Sequence, residues 1–187
     1  MSPKSIAAVL IFAAAIAACQ PPGASVLPTR LAPTPVAPSV LSSGLAPIGA
    51  VEEATVTYVS DGDTVRVAID GGRDELLRYI GVDAPEIDGP YANLEPWGPE
   101  AADANRALVE DETVYLEKDV SNVDPNGRLL RYVWLKDGTG WLMVNRELVR
   151  LGLARARDYR PDTKFSDVLF EAQDEARDGD RGIWSDD

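Results

Sequence analysis

Three short segments concentrate carboxylates and arginines: Asp61-Gly62-Asp63-Thr64, Arg78-Tyr79-Ile80-Gly81-Val82-Asp83-Ala84-Pro85-Glu86, and Asp124-Pro125-Asn126-Gly127-Arg128. The first two gather carboxylates near the ends of strand-like runs, where they repel one another unless a cation or protons offset the charge. Hard oxygen donors of this kind suit Ca²⁺, which takes ~6–8 oxygen ligands. Arg78 and Arg128 add planar, permanently charged forks that match phosphate oxygens in bidentate geometry. A metal and two arginines would stabilise the charge of a pentacoordinate phosphorus, and a carboxylate would orient or deprotonate the attacking water. Each segment also has a structural explanation. Asp61 reads best as a turn residue, Arg78 suits a salt bridge in an acid-rich domain, and Asn126-Gly127-Arg128 suits a hairpin turn.

Two absences narrow the chemistry. The chain of 187 residues has no histidine, and its one cysteine is Cys19. Histidine-dependent triads, imidazole proton shuttles and imidazole zinc sites are therefore excluded. A disulfide framework and a thiolate metal cage within the chain are excluded as well. Catalysis must rest on carboxylates, arginines, lysines, hydroxyls and an oxygen-ligated metal. The net charge is −13, and Lys4 and Arg30 are the only charged side chains before residue 51, so residues 51–187 carry −15. That acidity argues against a protein that coats nucleic acid, which would show a basic stripe.

The elements that must position these residues follow from hydrophobic period and turn signals. Thr55–Ser60, Thr64–Asp70 and Glu75–Val82 read as strands, with Gly71-Gly72 as a turn. Alternation in the third run places Arg78 on one face with Ile80 and Val82. A loop follows from Asp83 to Gly98, and Pro99 opens a helix over 99–110. Thr113–Lys118 and Leu129–Leu135 complete five strands. Asn145 is the expected N-cap of a helix over 146–152 closed by Gly152, and a last helix spans Phe165–Arg177. Five strands with one late helix and helices at the end fit an α+β domain, a closed five-stranded β-barrel of the OB type with three α-helices.

In order and spacing the three segments resemble those of the staphylococcal nuclease (thermonuclease) family. The resemblance covers about residues 54–185 and extends to Trp97-Gly98-Pro99-Glu100-Ala101, Met143-Val144-Asn145, Gly152-Leu153-Ala154 and Gly182-Ile183-Trp184. It implies an OB barrel with three helices and Ca²⁺-dependent cleavage of DNA or RNA, with 3′-phosphate products. Position by position, it makes Asp63 and Asp83 the metal carboxylates, with Ala84 lending its backbone carbonyl. It makes Glu86 the general base and Arg78 and Arg128 the phosphate-binding arginines, and it gives Tyr159 an aromatic contact with substrate. The sequence departs from the family at Pro125 and Asn126, where lysine and tyrosine often help hold a nucleotide. The loop 87–97 contains Asp88 and Glu95 and no basic residue. A positive patch formed by Arg78, Arg128, Arg131, Arg155, Arg157 and Arg160 is the expected guide for a nucleic-acid strand. The competing function is a non-catalytic OB-type binding module on the same scaffold, with a calcium-stabilised structural lipoprotein as a third.

The first fifty residues read as address and tether. Ile6–Ala18 is a thirteen-residue apolar run, too short for the ~20 residues of a membrane-spanning helix but suited to a signal-peptide core. Its end, Ile16-Ala17-Ala18-Cys19, resembles the lipobox of bacterial lipoproteins, which implies cleavage after residue 18 and lipidation of Cys19. Gln20–Ala50 holds seven of the fourteen prolines and only one charge, Arg30, the composition of a disordered spacer. The expected organisation is a lipoprotein signal peptide over 1–18, a lipidated tether over 19–50 and a nuclease-like domain over 51–187. Such a protein would be a monomer, anchored by lipid to a membrane of the cell envelope, with its domain facing the periplasm or exterior.

Overall fold

Val65, Val67 and Ile69 are buried while the intervening Arg66 and Ala68 are not, and that period of two builds the second strand of a closed barrel. The computed structural model describes residues 44–69, 72–87, 95–138 and 140–185, within the unit Leu31–Asp187. The readings that concern the signal peptide, Cys19, the spacer up to residue 43 and Asp88 lie outside the described residues.

The barrel strands are β1 (Val51–Val59), β2 (Thr64–Ile69), β3 (Arg73–Tyr79), β5 (Thr113–Glu117) and β6 (Leu129–Lys136), joined in the order β3-β2-β1-β5-β6. Closure comes from a parallel pairing of β6 with β3, in the register Leu77↔Leu129, Arg78↔Leu130 and Tyr79↔Arg131. Short additions complete the strand set: β4 (Val82–Asp83) pairs with β8 (Arg155–Ala156), and β7 (Trp141–Met143) forms a hairpin with β6. Helices α1 (Gly98–Val109), α2 (Val144–Arg150) and α3 (Ser166–Asp178) pack on the barrel, and a 3₁₀ turn follows at Gly182–Trp184. Among the described residues no helix is long and apolar enough to cross a membrane. The expected α+β OB-type barrel with three helices is the observed fold. The core unites Val56, Val65, Leu77, Leu116 and Val133 from the strands with Ala101, Leu148 and Leu169 from the helices.

Three local expectations need correction. The third strand stops at Tyr79, because the chain turns at Ile80-Gly81, with Gly81 at φ +77° and the Leu169 side chain in the space a Cβ would need. Ile80 and Val82 are therefore not continuations of the Arg78 face; both are buried, while Arg78 lies opposite Leu77 and Tyr79. Asn145 is not the cap of α2. It sits inside the helix, fully buried, where its Oδ1 accepts from Val133 N (2.8 Å) and its Nδ2 donates to Ile80 O (2.9 Å). Its amide thus ties α2 to the turn after β3 and to β6, so the polar residue serves the barrel and not the helix end. Strand β1 also starts at Val51, four residues before the expected Thr55, because Val51–Thr55 pair with β5.

Candidate active site

The Asp61–Asp63 turn is held by contacts that only small residues permit. A Cβ at Gly62 would lie 2.6 Å from the Ala84 Cβ and 2.8 Å from that of Ala101, so glycine lets the turn press between the β4 exit and α1. Asp61 Oδ1 accepts from Asp63 N (3.0 Å), and its carbonyl accepts from Asn105 Nδ2 (3.0 Å). Asn105 Oδ1 in turn accepts from Tyr79 OH (3.0 Å). A buried chain from β3 through α1 therefore fixes the turn, and Asp61 is a turn residue as expected.

This places Asp63, only 1% exposed, with every donor close at hand. Its Oδ2 accepts from Ala84 N (2.8 Å), and its Oδ1 lies 2.6 Å from Arg78 Nη1 and 3.2 Å from Thr64 Oγ1. Arg78 Nη2 reaches Asp83 Oδ1 (3.3 Å), and Arg157 Nε reaches Asp83 Oδ2 (3.2 Å). Arg78 thus bridges the two carboxylates assigned to the metal. Burial pushes the Asp63 carboxyl well above the usual range and Asp61 adds to this; Arg78 and the Ala84 amide pull the other way and do not cancel it. Burial also works against the charge of Arg78, but Asp63, Asp61 and Asp83 outweigh it and raise its pKa.

Glu86 follows on the same loop, pinned through its backbone. Glu95 N donates to Glu86 O (3.0 Å), and Glu86 N donates to Glu95 Oε2 (3.2 Å). Partial burial raises its pKa, and Asp61, Glu95 and Asp83 add to the shift against Arg78. A carboxylate raised toward neutrality is a stronger base than an ordinary glutamate.

Arg128 enters from the start of β6. Arg128 is the last residue of the turn before β6, where Asp124 holds it, and β6 then pairs with β3 across the closing seam at Leu130 and Arg78. A cleft of about 740 Å³ is lined by Arg78, Glu86, Pro125, Arg128, Tyr159 and Arg160 among others. The arginines, the carboxylate and the tyrosine singled out in the sequence therefore share one cleft, with Asp63 and Asp83 directly behind Arg78.

The expected positive patch does not assemble as a whole. Arg131 is buried and bound to Asn122 O (3.1 Å), Leu130 O (2.7 Å) and Asn122 Oδ1 (3.1 Å). Arg155 stacks on Trp184, 4.4 Å from the ring centroid. Both serve packing. The sequence reading also missed Asp124 as the partner of Arg128 (2.6 Å to Nη2); the spacing of four residues across an Asn-Gly turn was the available signal.

The donor chemistry at Asp63, Asp83 and the Ala84 carbonyl fits a hard divalent cation. All three offer oxygen, and the Asp63 and Asp83 carboxylates are close enough to share the Arg78 guanidinium. Among the described residues no three acidic side chains make a complete cage, so a cation here would keep several waters.

A closed OB barrel with a carboxylate–arginine cleft at its closing seam defines an α+β enzyme domain suited to phosphate groups. Residues 76–186 match the family model described as staphylococcal nuclease homologue. The thermonuclease of Staphylococcus hyicus is 42% identical over 130 residues, covering 70% of this chain and 74% of that protein. The thermonuclease of Staphylococcus intermedius is 39% identical over 133 residues, covering 71% and 76%. Endonuclease YncB of Bacillus subtilis is 38% identical over 133 residues, covering 70% and 61%. The chain belongs to the staphylococcal nuclease family, and its enzyme class is nuclease.

Proposed function

We propose that the chain is a Ca²⁺-dependent endonuclease that hydrolyses DNA or RNA, with Glu86 as general base and Arg78 and Arg128 on the phosphate. The convergence of Arg78, Glu86 and Arg128 on one cleft beside the buried Asp63 carries this reading. Asp63, Asp83 and the Ala84 carbonyl would hold the cation, which when bound supplies positive charge beside the phosphoryl oxygens. Glu86 accepts a proton from the attacking water as the new P–O bond forms and the P–O bond to the leaving oxygen breaks. The forks of Arg78 and Arg128 neutralise the charge that builds on the phosphoryl oxygens. Tyr159, whose ring is half exposed in the cleft, offers a stacking surface for a base.

Arg78 is the residue that must change partners. Its guanidinium contacts Asp63 and Asp83, so a cation on those carboxylates would free the fork for phosphate. Cation and substrate binding are thereby coupled through one side chain. Residues 1–18 are proposed as the lipoprotein signal peptide, Cys19 as the lipidated anchor to an envelope membrane, residues 19–50 as the tether and 51–187 as the nuclease domain, acting as a monomer. The deciding experiment is a nuclease assay on single-stranded DNA and RNA with Ca²⁺, Mg²⁺ or chelator, repeated with Glu86→Ala. Ca²⁺-dependent cleavage that collapses in the variant is expected. Strand binding without cleavage under every condition would favour the binding-module alternative.

A further inference from the structure

We propose that Arg160 binds a substrate phosphate other than the one being cleaved, so that the cleft grips a polynucleotide strand beyond a single phosphodiester. This inference rests on the nuclease reading above.

The charge inventory of the cleft carries it. Arg78 is engaged with Asp63 and Asp83, and Arg128 with Asp124. Nearby, Arg157 is paired with Asp83, and Arg131 is buried among carbonyls. Among the described residues lining the cleft, Arg160 is the cation whose side chain makes no ion pair and no hydrogen bond, and it is exposed. The neighbouring carboxylates do not compete for it. Asp158 accepts a short hydrogen bond from Ser166 Oγ. Asp162, 4% exposed, accepts from Val120 N (3.0 Å) and Ser121 N (2.7 Å).

Those same contacts fix where the cation stands. Asp162 N donates to Tyr159 O (2.9 Å), closing a tight turn around Arg160. The Asp162 carboxylate then fastens that turn to residues 120–121, on the segment that supplies the Pro125–Arg128 wall of the cleft. Arg160 therefore stands on a pinned turn and lines the cleft together with its half-exposed neighbour Tyr159. An unpaired arginine beside an open aromatic ring, in a domain of net charge −15, is a local cationic and stacking contact for one nucleotide unit. Arg78, Glu86 and Arg128 supply the reaction, so the phosphate that Arg160 meets is a flanking one.

The test compares wild type, Arg160→Gln and the control Arg66→Gln, which alters an exposed arginine on β2 paired with Asp74. Hydrolysis is measured on a ten-nucleotide single strand and on thymidine 5′-(p-nitrophenyl phosphate), which has one phosphodiester and no flanking phosphate. Binding of the strand is measured against salt in the Glu86→Gln background with Ca²⁺ present. Arg160→Gln should raise KM for the strand several-fold with kcat little changed, and leave the small ester unaffected. It should also flatten the slope of log K against log salt by about 0.7, the value for one single-strand phosphate contact. The control should change none of these. An unchanged slope, an equal effect on the ester, or no strand binding at all would overturn the proposal. A wild type that cleaves neither substrate sinks the nuclease reading instead, and the salt slope still decides Arg160.

Discussion

Asp124 holds Arg128 at both its backbone and its side chain. One carboxylate oxygen accepts from Arg128 N (2.9 Å), and the other lies 2.6 Å from both Nε and Nη2. The first oxygen also accepts from Asn126 N (2.9 Å), so a single carboxylate shapes the turn and aims the arginine. The hairpin turn and the setting of the Arg128 side chain, alternatives in the sequence, are one structure here.

That arrangement predicts an acid-sensitive contribution to stability. Burial works against the Asp124 charge, but hydrogen bonds from Arg128 and Asn126 outweigh it and hold its pKa below the ordinary value. A depressed carboxylate stabilises the fold above the unfolded-state value of ~3.9, and this is lost as pH falls through the lower folded value. Asp124→Asn should cost about 1–3 kcal/mol near neutrality, as expected for charge-assisted hydrogen bonds. Urea melts at neutral pH and near pH 3 should show the difference between variant and wild type shrinking in acid.

Glu86→Gln should reduce kcat by about 10²–10⁴-fold, the usual weight of a general base, while strand affinity changes little. The raised pKa of Glu86 also shifts the acid limb of the wild-type rate profile. The base must be ionised, so activity should fall below a pH higher than the ~4.3 of an ordinary glutamate. An acid limb at or below that value would remove Glu86 from the role.

Asp63→Asn separates function from stability. For a carboxylate whose folded pKa is raised, stability declines as pH climbs from the unfolded value through the folded one, because the fold favours the neutral form. At neutral pH in chelator the asparagine variant should therefore melt above wild type. It should also lose the rise in melting temperature that Ca²⁺ gives the wild type, and more than about 100-fold in activity, beyond the cost of disturbing a residue behind the ligands. A variant that melts lower in chelator would mean that the pair with Arg78 outweighs the burial of Asp63.

The strands and the candidate site side chains are legible in the sequence for different reasons. Val65, Val67 and Ile69 announce β2 through local alternation, and Pro99 marks the start of α1, so both were readable within a few residues. Arg78, Glu86 and Arg128 stood out because a chain without histidine has few other routes to phosphate chemistry. Long-range partner choice left no local trace. Asn145 has the residue type of an N-cap, yet its partners are Val133 and Ile80, 12 and 65 positions away. Arg131 and Arg155 look like surface cations in sequence, and only the burial of Arg131 against Asn122 and the stacking of Arg155 on Trp184 remove them from the substrate patch.

Glu117 joins the segment before the barrel to the barrel itself. The side chain is fully buried at the end of β5 and accepts from Trp134 Nε1 (3.1 Å), Lys164 Nζ (3.1 Å) and Gly49 N (2.8 Å). Ile48 N adds a longer contact at 3.3 Å, and Leu45 packs on the core. Lys164 also donates to Lys118 O (2.9 Å), two residues after Asp162 secures the Tyr159 turn. Glu117→Ala should cost about 1–3 kcal/mol, because it leaves the buried Trp134 Nε1 without its acceptor and removes the partner of the part-exposed Lys164. Removing residues up to 50 takes away the Gly49 and Ile48 donors and should cost about 1–3 kcal/mol, whereas a chain begun at Gly44 keeps them. Melting of the two truncated chains measures the difference directly. Equal stability would show that the backbone contacts at Glu117 are readily replaced by water and that the folded unit begins only at Val51.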